Sequence, residues 1–146
     1  PFLMIKSTTI NALISLIILS VSFTSCDPLR SVLKLLEGDW EVKSFTEDGV
    51  ELMNTGAGFS SFIMEFEEYG ESEGEFSWTF ILENGGSDVV SGDYELNDDG
   101  TEVEFTFKVG ALTGEIADFD MDLEGEDLEL SGNIAGFRWV IDAEKD

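Results

Sequence analysis

From Gly38 to the C-terminus the chain alternates apolar and polar residues with a period of two, a pattern that leaves few choices of fold. Trp40, Val42 and Ser44 share one side of a strand, while Asp39, Glu41 and Lys43 share the other. Phe62, Met64 and Phe66 repeat the pattern, and Phe76, Trp78, Phe80 and Leu82 alternate with Ser77 and Thr79. Val90, Tyr94 and Leu96 stand against Asp93 and Glu95; Val103, Phe105, Phe107 and Val109 against Glu102, Glu104, Thr106 and Lys108. Phe119, Met121 and Leu123 stand against Asp118, Asp120 and Asp122, Leu128 and Leu130 against Asp127 and Glu129, and Phe137, Trp139 and Ile141 close the series. Successive strand side chains point to opposite faces, so each run has one apolar and one wet face. Glu47-Asp48-Gly49, Asn84-Gly85-Gly86, Asn97-Asp98-Asp99-Gly100, Glu124-Gly125-Glu126 and Ala135-Gly136 separate the runs with tight-turn chemistry. Eight such strands joined by sequential hairpins predict an all-β, antiparallel up-and-down barrel. The one long connection, Val50 to Ser60, is expected to loop over one end.

A short helix precedes the strands. Leu29, Val32, Leu33, Leu35 and Leu36 recur at helical spacing, with Asp27 as a candidate N-cap and Gly38 as the stop, which predicts a helix from about Pro28 to Glu37. The 146 residues suit one domain.

Composition excludes several chemistries. The chain has no histidine and one cysteine, so Ser-His-Asp and Cys-His catalysis, the usual zinc sites and an internal disulfide all fall away. Against 32 acidic residues stand 7 basic ones, a formal net charge of −25, which argues against nucleic acid because phosphates are met by Lys and Arg. No cofactor is expected, and the chain reads as a non-enzyme. Asn97-Asp98-Asp99-Gly100 has part of a calcium loop, but the twelfth position of that frame is Thr106, which lacks the bidentate carboxylate; a hairpin turn is expected. Paired carboxylates for glycosidase chemistry carry little signal among so many acids.

The first residues read as an address. After the candidate initiator Met4 and Lys6 comes an apolar run from Ile10 to Phe23, too short for a membrane span and suited to a signal-peptide core. It ends in Phe23-Thr24-Ser25-Cys26, which resembles the lipobox of bacterial lipoproteins. That resemblance implies cleavage after residue 25, a lipid anchor on the Cys26 thiol and attachment to a membrane of the cell envelope, with the outer membrane favoured over the inner. Stable attachment needs two or more chains, and lipoproteins of this kind carry three. The expected organisation is then a signal peptide over 1–25, a lipidated Cys, tether and short helix over 26–37, and the barrel over 38–146.

The barrel's opening carries a second resemblance. Leu36-Glu37-Gly38-Asp39-Trp40-Glu41-Val42 follows the helix and starts the first strand, and it resembles the Gly-x-Trp signature of lipocalins and of lipocalin-like domains in lipoproteins of Bacteroidota-type bacteria. The resemblance implies that Gly38 turns the chain into the first strand, that Trp40 plugs the closed end, and that an Arg of the last strand, here Arg138, packs across that Trp. It implies an apolar-ligand cavity as well. The alternation would send Phe62, Phe66, Phe76, Trp78, Phe80, Tyr94, Phe105, Phe107, Phe119, Phe137 and Trp139 inward. Nine of these, all but Phe76 and Phe137, are candidate cavity-lining residues. Rings of that size, burying about 150–250 Å² each, could instead fill the barrel. Two functions follow: a lipid-anchored lipocalin-like barrel that binds a small apolar ligand, or an acidic module that docks a basic envelope protein with its barrel filled by side chains.

Overall fold

The computed structural model describes residues 28–146. The expected signal segment, Cys26 and the expected N-cap Asp27 lie outside the described residues. Helix α1 (Pro28–Leu36) is followed by strands β1 (Gly38–Glu47), β2 (Val50–Glu51), β3 (Phe59–Glu68), β4 (Glu73–Leu82), β5 (Ser87–Leu96), β6 (Glu102–Val109), β7 (Ile116–Glu124), β8 (Asp127–Ile134) and β9 (Phe137–Lys145). The two-residue β2 only extends the first hairpin. The eight long strands pair antiparallel in chain order, and β1 pairs with β9 to close the barrel. Closure removes the exposed edges that an open sheet would present.

The turns form as their residues dictate. Asp48-Gly49 and Ala135-Gly136 both have positive φ at both positions, the mirror-image turn whose twist matches the flanking strands. At the 97–100 turn, Asn97 Oδ1 accepts hydrogen bonds from the backbone N–H groups of Thr101 and Glu102, so this oxygen builds the hairpin. Gly74 is required by a close approach: a Cβ there would lie 1.8 Å from Glu67 O and 2.6 Å from Tyr94 Oη, because the Tyr94 ring crosses over its strand partner.

Three inward positions depart from simple alternation. A bulge between Val42 and Ser44 in the β1–β9 pairing shifts the phase of β1, so Trp40, Val42 and then Phe45 face the core while Ser44 is half-buried. Phe137 has the inward phase but is 46% exposed, because it is the first residue after the β8–β9 turn and stands above the core. Val109 is also exposed, at the end of β6 beside the Ser91/Gly92 bulge.

One end is closed by α1. Leu33 and Leu36 are fully buried beneath the strands, and Trp40 beside them donates its Nε1–H to Leu36 O at 2.8 Å. Gly38, at φ +115°, turns the chain from helix to strand. The cation over the Trp40 ring is Lys145, with Nζ 5.1 Å from the centroid, and it also donates to the backbone oxygens of Leu35 and Glu37. Arg138 does not reach this end. Inward positions on β9 are 139, 141 and 143, so Arg138 faces out, and it lies where β9 begins, at the opposite end of the barrel; there its backbone N–H donates to Asp48 Oδ1.

Candidate functional site

The alternation delivers a continuous aromatic core. Phe105 lies 4.9 Å from both Phe76 and Trp78, and 5.5 Å from Phe119, measured between ring centroids. Phe107 packs edge-on against Phe76 and Trp78, Tyr94 against Phe66, and Phe62 stacks on Phe80 at 4.1 Å. These contacts fill the barrel's closed and central parts. Trp78 Nε1 and Tyr94 Oη find no hydrogen-bond partner among the described residues. Burial, reinforced by the charges of Glu68 and Glu37, pushes the Tyr94 phenol well above its ordinary pKa.

Towards the other end a cavity of about 450 Å³ opens between the β1–β2 hairpin, the 52–58 connection and the 110–115 connection. Its wall is mainly apolar: Phe45, Leu52, Phe59, Phe80, Leu112 and Trp139. Of the nine expected cavity-lining residues, Phe80 and Trp139 line it; Phe62, Phe66, Trp78, Tyr94, Phe105, Phe107 and Phe119 do not, because their rings occupy one another's space deeper in the barrel. Sequence reasoning missed Phe45, whose phase the bulge reversed, and Leu52, Phe59 and Leu112, which reach the mouth from connections or a strand start. An aromatic one position out of step with Trp40 and Val42 was the available signal for the bulge.

The long connection is tied down over this mouth. Glu51 accepts from Ser44 Oγ at 2.6 Å and from the backbone N–H groups of Phe45 and Met53, while Glu83 accepts from Gly58 N at 2.7 Å. Burial works to raise the Glu51 pKa, but these three hydrogen bonds outweigh it and hold the carboxyl below its ordinary value. Glu47 accepts from Trp139 Nε1 at 2.8 Å, giving the indole a polar anchor at the rim. Val50, Ile81, Val89, Val109, Ile116 and Phe137, all exposed, lie at or close to strand ends on this same side.

The outer wall is acidic, and carboxylates face one another across neighbouring strands. Glu104 pairs with both Glu95 and Asp118, Glu102 with Asp120, and Glu129 with both Asp122 and Asp142. Burial, then repulsion from Asp142, raises the Glu129 pKa. Among the described residues no group of three or more potential ligands is placed to hold a metal ion, and no helix is long and apolar enough to cross a membrane.

No protein-family model and no curated protein matches the chain. Its fold is similar to solved barrels. A lipocalin-like protein from Bacteroides uniformis is 20% identical, with 77% of this chain and 99% of that one covered at a TM-score of 0.50. A redesigned β-barrel gives a TM-score of 0.63 at 14% identity, covering 83% and 99%. Another, mFAP1, solved bound to DFHBI, gives 0.57 at 13% identity, covering 78% and 98%. The fold is thus a closed, eight-stranded, lipocalin-like barrel with one short helix.

Proposed function

We propose that the chain is a non-catalytic, lipid-anchored protein of the bacterial cell envelope, whose lipocalin-like barrel takes a small hydrophobic molecule at its mouth. One observation carries the binding role: an apolar cavity of about 450 Å³ at the end of the barrel opposite α1, within the range of small-molecule sites. The lipobox-like Phe23-Thr24-Ser25-Cys26 supports the anchor, and the similarity to a lipocalin-like protein and to a designed barrel bound to DFHBI supports the architecture's suitability. Native mass spectra before and after organic extraction test the binding role. A co-purified apolar species, or uptake of a hydrophobic dye that displaces with it, is the expected result; a clean apo mass with no dye uptake would refute it. The anchor is tested by Cys26→Ser, which should lose membrane partitioning; a variant that partitions like the parent removes the lipid from the proposal.

A second reading is favoured by the packed interior together with the carboxylate-covered wall: the outer surface docks a basic envelope protein. Such a complex should weaken steeply with salt, since exposed charges are screened over about 10 Å at 0.1 M. Neutralising Asp118, Asp120 and Asp122 should weaken it too; a salt-insensitive complex would exclude this mode.

A further inference from the structure

We propose that the mouth selects amphiphiles with a cationic head, the apolar body entering the cavity and an ammonium-type head resting at the rim to which Glu47 and Asp88 contribute the charged side chains. The inference rests on the reading of the mouth as a binding site and specifies its ligand class. Glu47 and Asp88 are the two ionisable side chains in the cavity wall, and both are acids. Glu47 Oε2 is taken by Trp139 Nε1, and Asp88 Oδ1 by the N–H of Val89, which leaves Oε1 and Oδ2 without a partner among the described residues. The neighbouring acids Glu51 and Glu83 are occupied in holding the 52–58 connection. Among the described residues no lysine or arginine forms an ion pair with either acid: Lys43 and Lys108 pair with other carboxylates, Arg30 and Lys34 lie on α1, Lys145 is at the closed end, and Arg138, exposed at the mouth, lies outside the cavity lining.

Two free carboxylate oxygens beside an apolar, aromatic wall attract a cation and repel a fatty-acid or sulfate head, so the site discriminates by repulsion as well as attraction. Trp139 and Phe59 belong to the same wall, and aromatic rings favour an ammonium group over an anion.

The test uses three probes with one ten-carbon tail, decyltrimethylammonium, decanol and decyl sulfate, titrated below micelle formation against the purified protein and followed by tryptophan fluorescence. The cationic probe should bind about tenfold more tightly than decanol, and the sulfate weakest. Glu47→Gln with Asp88→Asn should abolish that preference, bringing the cation's affinity down to that of decanol on the same variant; glutamine still accepts from Trp139, so the rim stays built. Glu129→Gln with Asp142→Asn makes the same charge change on the outer wall near the closed end and should leave the preference intact. If both double variants weaken the cation equally, the general field is responsible and the proposal falls. If decanol and cation bind alike, the proposal falls while mouth binding stands. If no probe binds, mouth binding itself is refuted.

Discussion

Replacing Lys145 by methionine removes one charge from the closed end while keeping most of the side chain's apolar stem. In the folded protein that ammonium sits 5.1 Å from the Trp40 centroid and donates to the carbonyls of Leu35 and Glu37, where α1 ends. A half-exposed cation on a ring contributes about 0.5–1 kcal/mol. A positive charge at a helix C-terminus adds about 0.3–1 kcal/mol. The two charge-assisted bonds add about 1 kcal/mol together, since water serves the same carbonyls when the lysine is gone, and holding the long side chain in place costs about 1 kcal/mol in rotamer entropy. The net loss is about 1.5 kcal/mol, or roughly 5 °C in Tm for a barrel of this size. Urea unfolding followed by tryptophan fluorescence reads it directly. Arg138→Met is the matched control: that side chain faces out at the mouth, and its tie to Asp48 is made by the backbone, so the change should stay within about 0.5 kcal/mol. The reasoning fails if Lys145→Met leaves the urea midpoint unchanged, or if Arg138→Met lowers it as much.

Four further outcomes are expected. Phe105→Ala, which empties the centre of the ring lattice, should cost about 3–5 kcal/mol, while Phe137→Ala should cost under about 0.5 kcal/mol; equal losses in chemical denaturation would contradict the packing described. Gly74→Ala should be destabilised by several kcal/mol or fail to fold, because the new Cβ meets the Glu67 carbonyl as well as the movable Tyr94 ring, and Tyr94→Ala should not restore it. Added salt should raise Tm, since cross-strand carboxylate pairs repel; a melting temperature that ignores sodium chloride between about 0.01 and 0.5 M would refute this. The carboxyls also predict opposite pH responses. Glu51 has a depressed folded pKa, so its stabilisation is present above the unfolded value of about 4.3 and is lost as pH falls through the lower folded value; Glu51→Gln should flatten that acid limb. Glu129 has a raised one, so stability is gained as pH falls through it, and Glu129→Gln should stabilise at pH 7 by no more than about 0.5 kcal/mol.

The sequence by itself determined what depends on neighbours along the chain. Pleating sends alternate residues to opposite faces, so the eight long strands, their wet and dry sides, the hairpin turns and the buried Trp40 were all legible from local pattern. The parity of β9 was legible too: Trp139, Ile141 and Ala143 face in, so Lys145 shares their phase and is paired with Trp40 in the β1–β9 register, whereas Arg138 has the opposite phase. Resemblance had pointed to the arginine, and parity argues against it.

Only the tertiary structure decided where alternation breaks and how much space is left. The β1 bulge that turns Phe45 inward arises in the pairing of β1 with β9, strands at opposite ends of the barrel sequence; the out-of-step Phe45 marks a break in the alternation, but the register that seats it is set by that pairing. The fate of the cavity was settled the same way. A list of inward-facing rings is compatible with either a hollow or a filled barrel; their mutual packing filled the centre and left the mouth to Phe45, Phe59, Phe80 and Trp139, with Glu47 and Asp88 beside them. The physical reason is that side-chain direction follows from each strand's own backbone, whereas volume and register are properties of the closed sheet, fixed only when its first and last strands meet.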